Sequence, residues 1–294
     1  MRRRASFTAP PQEQLHGAGS ESPHLGDRPP LRHKGGMTDL ELLDLAAGLA
    51  RRAAAAIMAV RKAGFAVDHK DDYSPVTEAD RVAEALIVEG LRAATPDIPV
   101  VAEEEVAGGL VTAVAPSFWL VDPLDGTKEF AKGLDEFAVC IGLVRNAAPV
   151  LGVLALPATG ELFGGIVGVG AWKETAAGAP RQPIQTRPVP AEGWLVLDSR
   201  SHSRPEALAP LLAGRQVASI QPMGSAAKFA RVAEGVADCS PRPGPTTMEW
   251  DTAAGQAIIE AAGGAILTEA GEPLRYGKAG WRNVGFIAVG RVDG

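Results

Sequence analysis

Two cysteines, Cys140 and Cys239, stand in a chain of 294 residues. So few exclude a multi-disulfide scaffold, and no Cys/His cluster has the spacing of a zinc site. A reducing, cytoplasmic setting is the expectation that follows. Aromatic residues make up only 5% of the chain, so the core must be assembled from Ala, Val, Leu and Ile. No uncharged apolar run approaches the roughly 18 residues of a membrane-spanning helix, which excludes an integral membrane span. Internal repeats are also lacking. What remains suits a folded body, with 46% hydrophobic and 22% charged residues, too apolar for a disordered chain. The length allows one large domain or two modest ones.

Charge is unevenly spread. Residues 1–36 hold six Lys/Arg and three Asp/Glu, whereas residues 37–294 hold 23 and 32. A body this acidic is not expected to bind nucleic acid. An anionic substrate is still permitted, because divalent cations invert the sign of a local site. The first 36 residues carry five Pro and five Gly without sustained apolar periodicity. They also lack the continuous apolar centre of a secretory signal. They read as a disordered N-terminal extension, with a targeting or docking arm as the rival reading. Met37 then opens a helical sequence and is a candidate start.

Periodicity predicts an amphipathic helix over Leu40–Ala63, stopped by Gly64. A short strand is expected within 65–69, then a polar turn over 71–75. Thr77 with an acid three residues on, Asp80, is a helix-capping signal. Apolar runs end abruptly in acids at Glu103 and at Asp122, and Pro123 is expected to stop ladder pairing. Segments 137–144, 150–156 and 162–167 alternate as antiparallel strands. Beyond the Pro- and Ala-rich stretch 176–192, strands and helices alternate, which predicts an α/β layer. Helices are expected over 204–213, 225–235 and 251–262, the last closed by Gly263-Gly264.

The acids fall at element ends rather than along solvated faces. Glu103, Asp122, Asp125 and Asp251 occupy strand ends or helix starts, where a scaffold holds polar groups at a cleft. An Asp-x-x-Asp turn can offer two carboxylates and the Leu124 carbonyl to one small volume, and Mg²⁺ prefers such oxygens. Gly126 would allow the tight turn that follows, and Thr127 would add a hydroxyl. Each piece alone has a bland alternative. The Glu103–Glu105 run suits a solvated turn, and Asp80 or Asp251 alone suits a helix-start acid.

Whole segments narrow the choice. Trp119-Leu-Val-Asp-Pro-Leu-Asp-Gly-Thr127, continued by Lys128-Glu-Phe130, resembles the first signature of the inositol monophosphatase superfamily. Trp250-Asp-Thr-Ala-Ala-Gly255 resembles its second. Pro75-Val-Thr-Glu-Ala-Asp80 and Ala102-Glu-Glu104 resemble the flanking segments, in the same order, so that the likeness spans residues 38–290. Lys128-Glu129, Ser199-Arg-Ser-His202, Gly224-Ser-Ala-Ala-Lys-Phe229 and Gly244-Pro-Thr246 are similar to the CysQ-type 3'(2'),5'-bisphosphate nucleotidase branch. Ala102, where many relatives carry Ser or Gly, and the long N-terminal tail depart from the pattern.

The resemblance implies a mixed α+β and α/β fold, a layered α-β-α-β-α sandwich of two subdomains. Residues 37–180 would bind metal and residues 181–294 nucleotide. It implies two or three Mg²⁺ ions. Glu103, Asp122 and the Leu124 carbonyl would hold one, and Asp122, Asp125 and Asp251 a second. A third, weaker ion would share Glu103. Asp80 and Thr127, assisted by Glu103, would orient or deprotonate an attacking water. Gly126, Thr127, His202, Ser225, Lys228, Arg242 and Asp251 would contact substrate, with free amides at the helix expected from Ser225 offered to an anion. The implied reaction removes the 3'-phosphate of adenosine 3',5'-bisphosphate (PAP), in sulfur metabolism, with lithium sensitivity. Its sulfated relative PAPS is a second nucleotide candidate. An inositol monophosphatase or fructose-1,6-bisphosphatase at the same centre is the alternative, and a non-catalytic nucleotide sensor a further one. A homodimer and peripheral association with the inner face of the cell membrane are family options that the residues themselves do not address.

Overall fold

The computed structural model describes residues 36–69, 75–113 and 115–291. Residues 1–35 of the expected extension and 71–74 of the expected polar turn lie outside the described residues. Helix α1 (Asp39–Ala63) is capped by Thr38, whose amide in turn donates to the Glu41 carboxylate, and it ends at Gly64 with φ 84°. β1 (Val67–His69) pairs antiparallel with β2 (Pro75–Thr77). α2 (Glu78–Ala94) begins in the reciprocal cap expected of Thr77 and Asp80.

The chain continues through β3 (Val100–Ala102), α3 (Glu103–Ala107), β4 (Ser117–Asp125), α4 (Thr127–Ala131), β5 (Ala138–Arg145), β6 (Ala148–Leu156), β7 (Glu161–Ile166), β8 (Gly170–Glu174) and β9 (Gln182–Ile184). Strands β3 to β9 form one sheet of seven in sequence order. β3 runs parallel to β4, and the other neighbours are antiparallel. Next come β10 (Trp194–Ser199), α5 (Pro205–Leu211), β11 (Val217–Met223), α6 (Ala227–Ala233), β12 (Cys239–Arg242), α7 (Glu249–Ala261), β13 (Ala265–Thr268) and β14 (Phe286–Val289). The second sheet has the order β11-β10-β12-β14-β13.

Strand alternation sorts the core into layers. In β4, Trp119 and Val121 pack with α1 and α2, while Phe118 and Leu120 pack with α6 and α7. Ile266, Phe286 and Ala288 of the second sheet cover the other side of α6 and α7. The far face of that sheet buries Val196, Ile287 and Val289 with Leu211 of α5. The result is the expected α-β-α-β-α sandwich.

Three glycines decide how closely α7 lies on the first sheet. Gly142, Gly152 and Gly165 are paired side by side across β5, β6 and β7. A Cβ at Gly142 would stand 2.8 Å from the Ala254 amide nitrogen, and one at Gly165 2.9 Å from the Ala261 Cβ. A Cβ at Gly152 would collide with the Ala254 carbonyl. The row of missing side chains is a trough that lets the backbone of α7 approach the sheet. The α7 N-terminus is thereby carried to the end of β4.

Candidate active site

Asp122 continues the inward-facing set of β4 and sits opposite Cys140, with which it shares the α7 side of the sheet. The ladder does not stop at Pro123 as expected. It passes from Asp122↔Cys140 to Asp125↔Ala138, so two residues of β4 oppose one of β5. This is a β-bulge, and Pro123 lies within it, where an absent N–H costs no ladder bond. The bulge returns Asp125 to the face of the sheet occupied by Asp122. Gly126 then turns the chain at φ 95°, and a Cβ there would come 2.8 Å from the Glu136 carbonyl. α4 begins immediately with Thr127.

Asp251 enters from the central helical layer. α7 starts at Glu249 rather than at Asp251, and the Asp251 carboxylate accepts the Met248 amide at 2.8 Å. The carboxylates of Asp122, Asp125 and Asp251 offer oxygens that all lie within 4.8 Å of one another. Glu103 lines the same cleft outside this triad. It is the first residue of α3, not the last of β3, and the run 103–105 is a helical turn rather than a loose acidic loop. Buried Glu84 anchors that turn by accepting the amides of Glu104 at 2.7 Å and Glu105 at 2.9 Å.

Like charges this close repel by roughly 4 kcal/mol per pair at an effective dielectric near 20. Burial acts in the same direction and is the larger cause in each acid. Burial, then the charges of Glu103, Asp125 and Asp251, push Asp122 well above the usual carboxylate range. Burial and the charges of Asp125 and Glu103 do the same to Asp251. Asp125 is raised to about 6 by burial, against the opposing pull of Lys228 and the Ala226 amide. A converging all-oxygen donor set, buried at Asp122 and half-buried at Asp125 and Asp251, fits a hard divalent cation.

Thr127 and Asp80 stand beside this cluster. The Thr127 hydroxyl lies 3.0 Å from both the Leu124 carbonyl and an Asp80 oxygen, and its single proton serves one at a time. Asp80 does not line the cleft and is 1% exposed. Its other oxygen accepts the Thr77 amide at 2.7 Å and hydroxyl at 2.6 Å. Burial raises its pKa despite these bonds. Asp80 therefore reaches the cleft only through Thr127.

The lining of the cleft also carries cations. His202, Ser225, Lys228 and Arg242 all line the cleft. Burial lowers the Lys228 pKa to about 8, and its ammonium donates to the carbonyls of Ser225 at 2.6 Å and Met223 at 3.2 Å. The Arg242 Nε is buried without a partner. His202 is held toward the neutral form by burial and by Lys128, whose Nζ is 3.0 Å from its Nε2. Ser225 has φ 51°, an unfavourable value for a residue with a Cβ. One expectation is corrected here. α6 starts at Ala227, not Ser225, and its first amides are occupied, Ala226 by Asp125 and Ala227 by the Ser225 hydroxyl. Those two amides are therefore not available to an anion. Arg231 is tied to Glu161 and Glu234. Trp119 and Trp250 are packing wedges, both almost fully buried, and the Trp119 indole donates to Thr95.

The structure therefore brings Glu103, Asp122, Leu124, Asp125, Gly126, Thr127, His202, Ser225, Lys228, Arg242 and Asp251 to one cleft. Glu136, which pairs with Arg200 and accepts the Gly224 amide, carries no signal in the sequence. Arg200 and Ser201 fall within the Ser199-Arg-Ser-His202 segment singled out by the resemblance, which assigned them no role.

A sandwich with acids at a strand bulge and a helix start defines a class. Residues 39–285 match the inositol monophosphatase family, and the chain belongs to it. Within that family the chain is 44% identical over 239 residues to the 3'(2'),5'-bisphosphate nucleotidase CysQ of Escherichia coli strain K12, covering 80% of this chain and 94% of that protein. The crystal structure of CysQ from Bacteroides thetaiotaomicron superposes with a TM-score of 0.71 at 36% identity, covering 86% of this chain and 98% of the other. The inositol monophosphatase of Anabaena (Nostoc) gives 0.67 at 28% identity over 86% and 92%.

Proposed function

We propose that the protein is a Mg²⁺-dependent phosphatase that hydrolyses the 3'-phosphate of PAP, giving AMP and phosphate. One observation carries this reading. The cleft is bipolar: its lining holds the acid cluster of Asp122, Asp125 and Asp251 and also the cations Lys228 and Arg242, with His202 beside them. A substrate with one phosphate to be cleaved and a second anionic group to be gripped matches both sets of residues. The unpartnered Arg242 Nε and the buried Lys228 ammonium gain an acceptor from the 5'-phosphate. Similarity to proteins named 3'(2'),5'-bisphosphate nucleotidase supports the same substrate.

Asp122, Asp125, Asp251, Glu103 and the Leu124 carbonyl would hold the Mg²⁺ ions. Bound there, the ions supply Lewis-acid activation of water and neutralise phosphoryl charge. Thr127, backed by buried Asp80, is placed to take or orient a proton of the attacking water through its hydroxyl. No cysteine, serine or histidine nucleophile is required, so a direct displacement by water is proposed rather than a covalent phospho-enzyme. Lys228, Ser225 and His202 bind and orient the nucleotide end.

The family likeness keeps an inositol-phosphate or sugar-bisphosphate substrate as the second reading. A turnover panel of PAP, inositol 1-phosphate and fructose 1,6-bisphosphate separates them. Preferred release of phosphate from PAP is the expected result, and preference for either other ester overturns the proposal. Lys228→Ala is expected to raise KM for PAP more than for inositol 1-phosphate. Equal effects remove Lys228 from nucleotide recognition.

A further inference from the structure

The lining of the cleft comes from segments on different sheets, and something must hold those segments together. The acid turn 122–127 lies on the first sheet, and the loop after β10 that carries His202 lies on the second. Three consecutive residues of that loop reach across to the segment 128–136. Arg200 makes a two-point ion pair with Glu136, Nε to Oε2 at 2.5 Å and Nη2 to Oε1 at 2.5 Å. The Ser201 hydroxyl donates to Glu129, and His202 meets Lys128.

Glu136 does more than pair with Arg200. Its Oε2 also accepts the Gly224 amide at 2.7 Å. Gly224 precedes Ser225, the strained residue from which the Lys228 segment departs. The Glu136 backbone carbonyl in turn packs against Gly126, at the end of the acid turn. One residue therefore touches the metal-side turn through its backbone and both substrate-side segments through its carboxylate. It does so from outside the cleft, which it does not line. Its carboxylate is a quarter exposed, where an ion pair adds little stability. A two-point pair with an added amide bond instead restricts geometry.

We infer that Glu136 is a positioning residue that fixes the distance between the acid cluster and the His202–Ser225–Lys228 group, and so selects phosphate esters with a second anionic group at that distance. The inference rests on the bipolar-substrate reading above. Glu136→Ala frees the Arg200 loop and the Gly224 turn together, without removing any group that meets substrate.

The test uses the full chain with Mg²⁺, PAP as substrate, and two inhibitors that report the two sets of residues. Inorganic phosphate suits the acid cluster alone, whereas AMP also engages the cations. Glu136→Ala is expected to raise KM for PAP and the inhibition constant of AMP about tenfold, the equivalent of one charge-assisted contact. The inhibition constant of inorganic phosphate and kcat should stay within about threefold. Arg200→Ala should reproduce the effect, and Glu136→Gln should recover part of it, since its amide oxygen can still accept the Gly224 amide. These two variants carry the test if Glu136→Ala does not fold. Unchanged AMP inhibition, or equal weakening of AMP and phosphate, overturns the inference. A wild type that releases phosphate from other panel esters but not from PAP overturns the nucleotide reading and takes this inference with it.

Discussion

Asp122 illustrates how one carboxylate can be costly to folding and still be retained. It is 2% exposed, within 4.8 Å of two other acids, and driven toward protonation by burial and by their charge. Replacing it by Asn removes repulsion and, on the proposed reading, a cation ligand together. Asp122→Asn is expected to lower kcat at least about 10²–10³-fold. The same variant should leave the melting temperature in EDTA unchanged or higher, while shrinking the rise that Mg²⁺ produces in wild type. Differential scanning with and without Mg²⁺ reads both, and a normal Mg²⁺ response would remove Asp122 from the ligand set. Asp251→Asn should behave alike. Thr127→Ala leaves that ligand set intact but disconnects Asp80 from the cleft. It is therefore expected to lower kcat while changing KM for PAP little, as steady-state kinetics would show.

Elements set where these residues meet. α7 brings Asp251 to β4 only because Gly142, Gly152 and Gly165 leave a trough beneath it. Gly152→Ala pushes a methyl against the backbone carbonyl of Ala254, which cannot rotate away. A loss of about 1–3 kcal/mol or more is expected in denaturant melts. Calorimetric titration should also show weakened Mg²⁺ binding, because Asp251 moves with the helix. α3 depends in a different way on Glu84, whose pKa is raised to about 7, chiefly by burial, from an ordinary 4.5. The folded chain therefore holds this proton more tightly than the unfolded chain. The stability so gained is complete below pH 4.5 and is lost as pH rises to about 7. Glu84→Gln should flatten that part of the stability–pH profile of the metal-free protein, measured by urea melts. An unchanged slope would show that Glu84 is ionised throughout.

At the scale of the whole molecule, the described fold begins with a helix that caps itself through Thr38 and Glu41. Deleting residues 1–36 removes no part of that cap and is expected to leave turnover of PAP unchanged. A large loss in the truncated protein would assign those residues a part in the activity. Much of the rest was legible beforehand, for reasons of local physics. The α2 cap, the three antiparallel strands and the stop at Gly64 are written in nearest neighbours and simple periods. β11 was not legible, because its residues are mostly exposed and show no alternation. β12 is four residues long and contains Pro241, and its strand character comes from pairing with β14. The sequence by itself determined which acids, hydroxyl and cations are available and that they fall at the ends of elements. Only the tertiary structure decided that Pro123 sits in a bulge, that glycines admit α7, and that Glu136 ties segments of the two sheets together. Those outcomes depend on contacts between residues tens of positions apart, whose geometry exists only after the sheets and helices have packed.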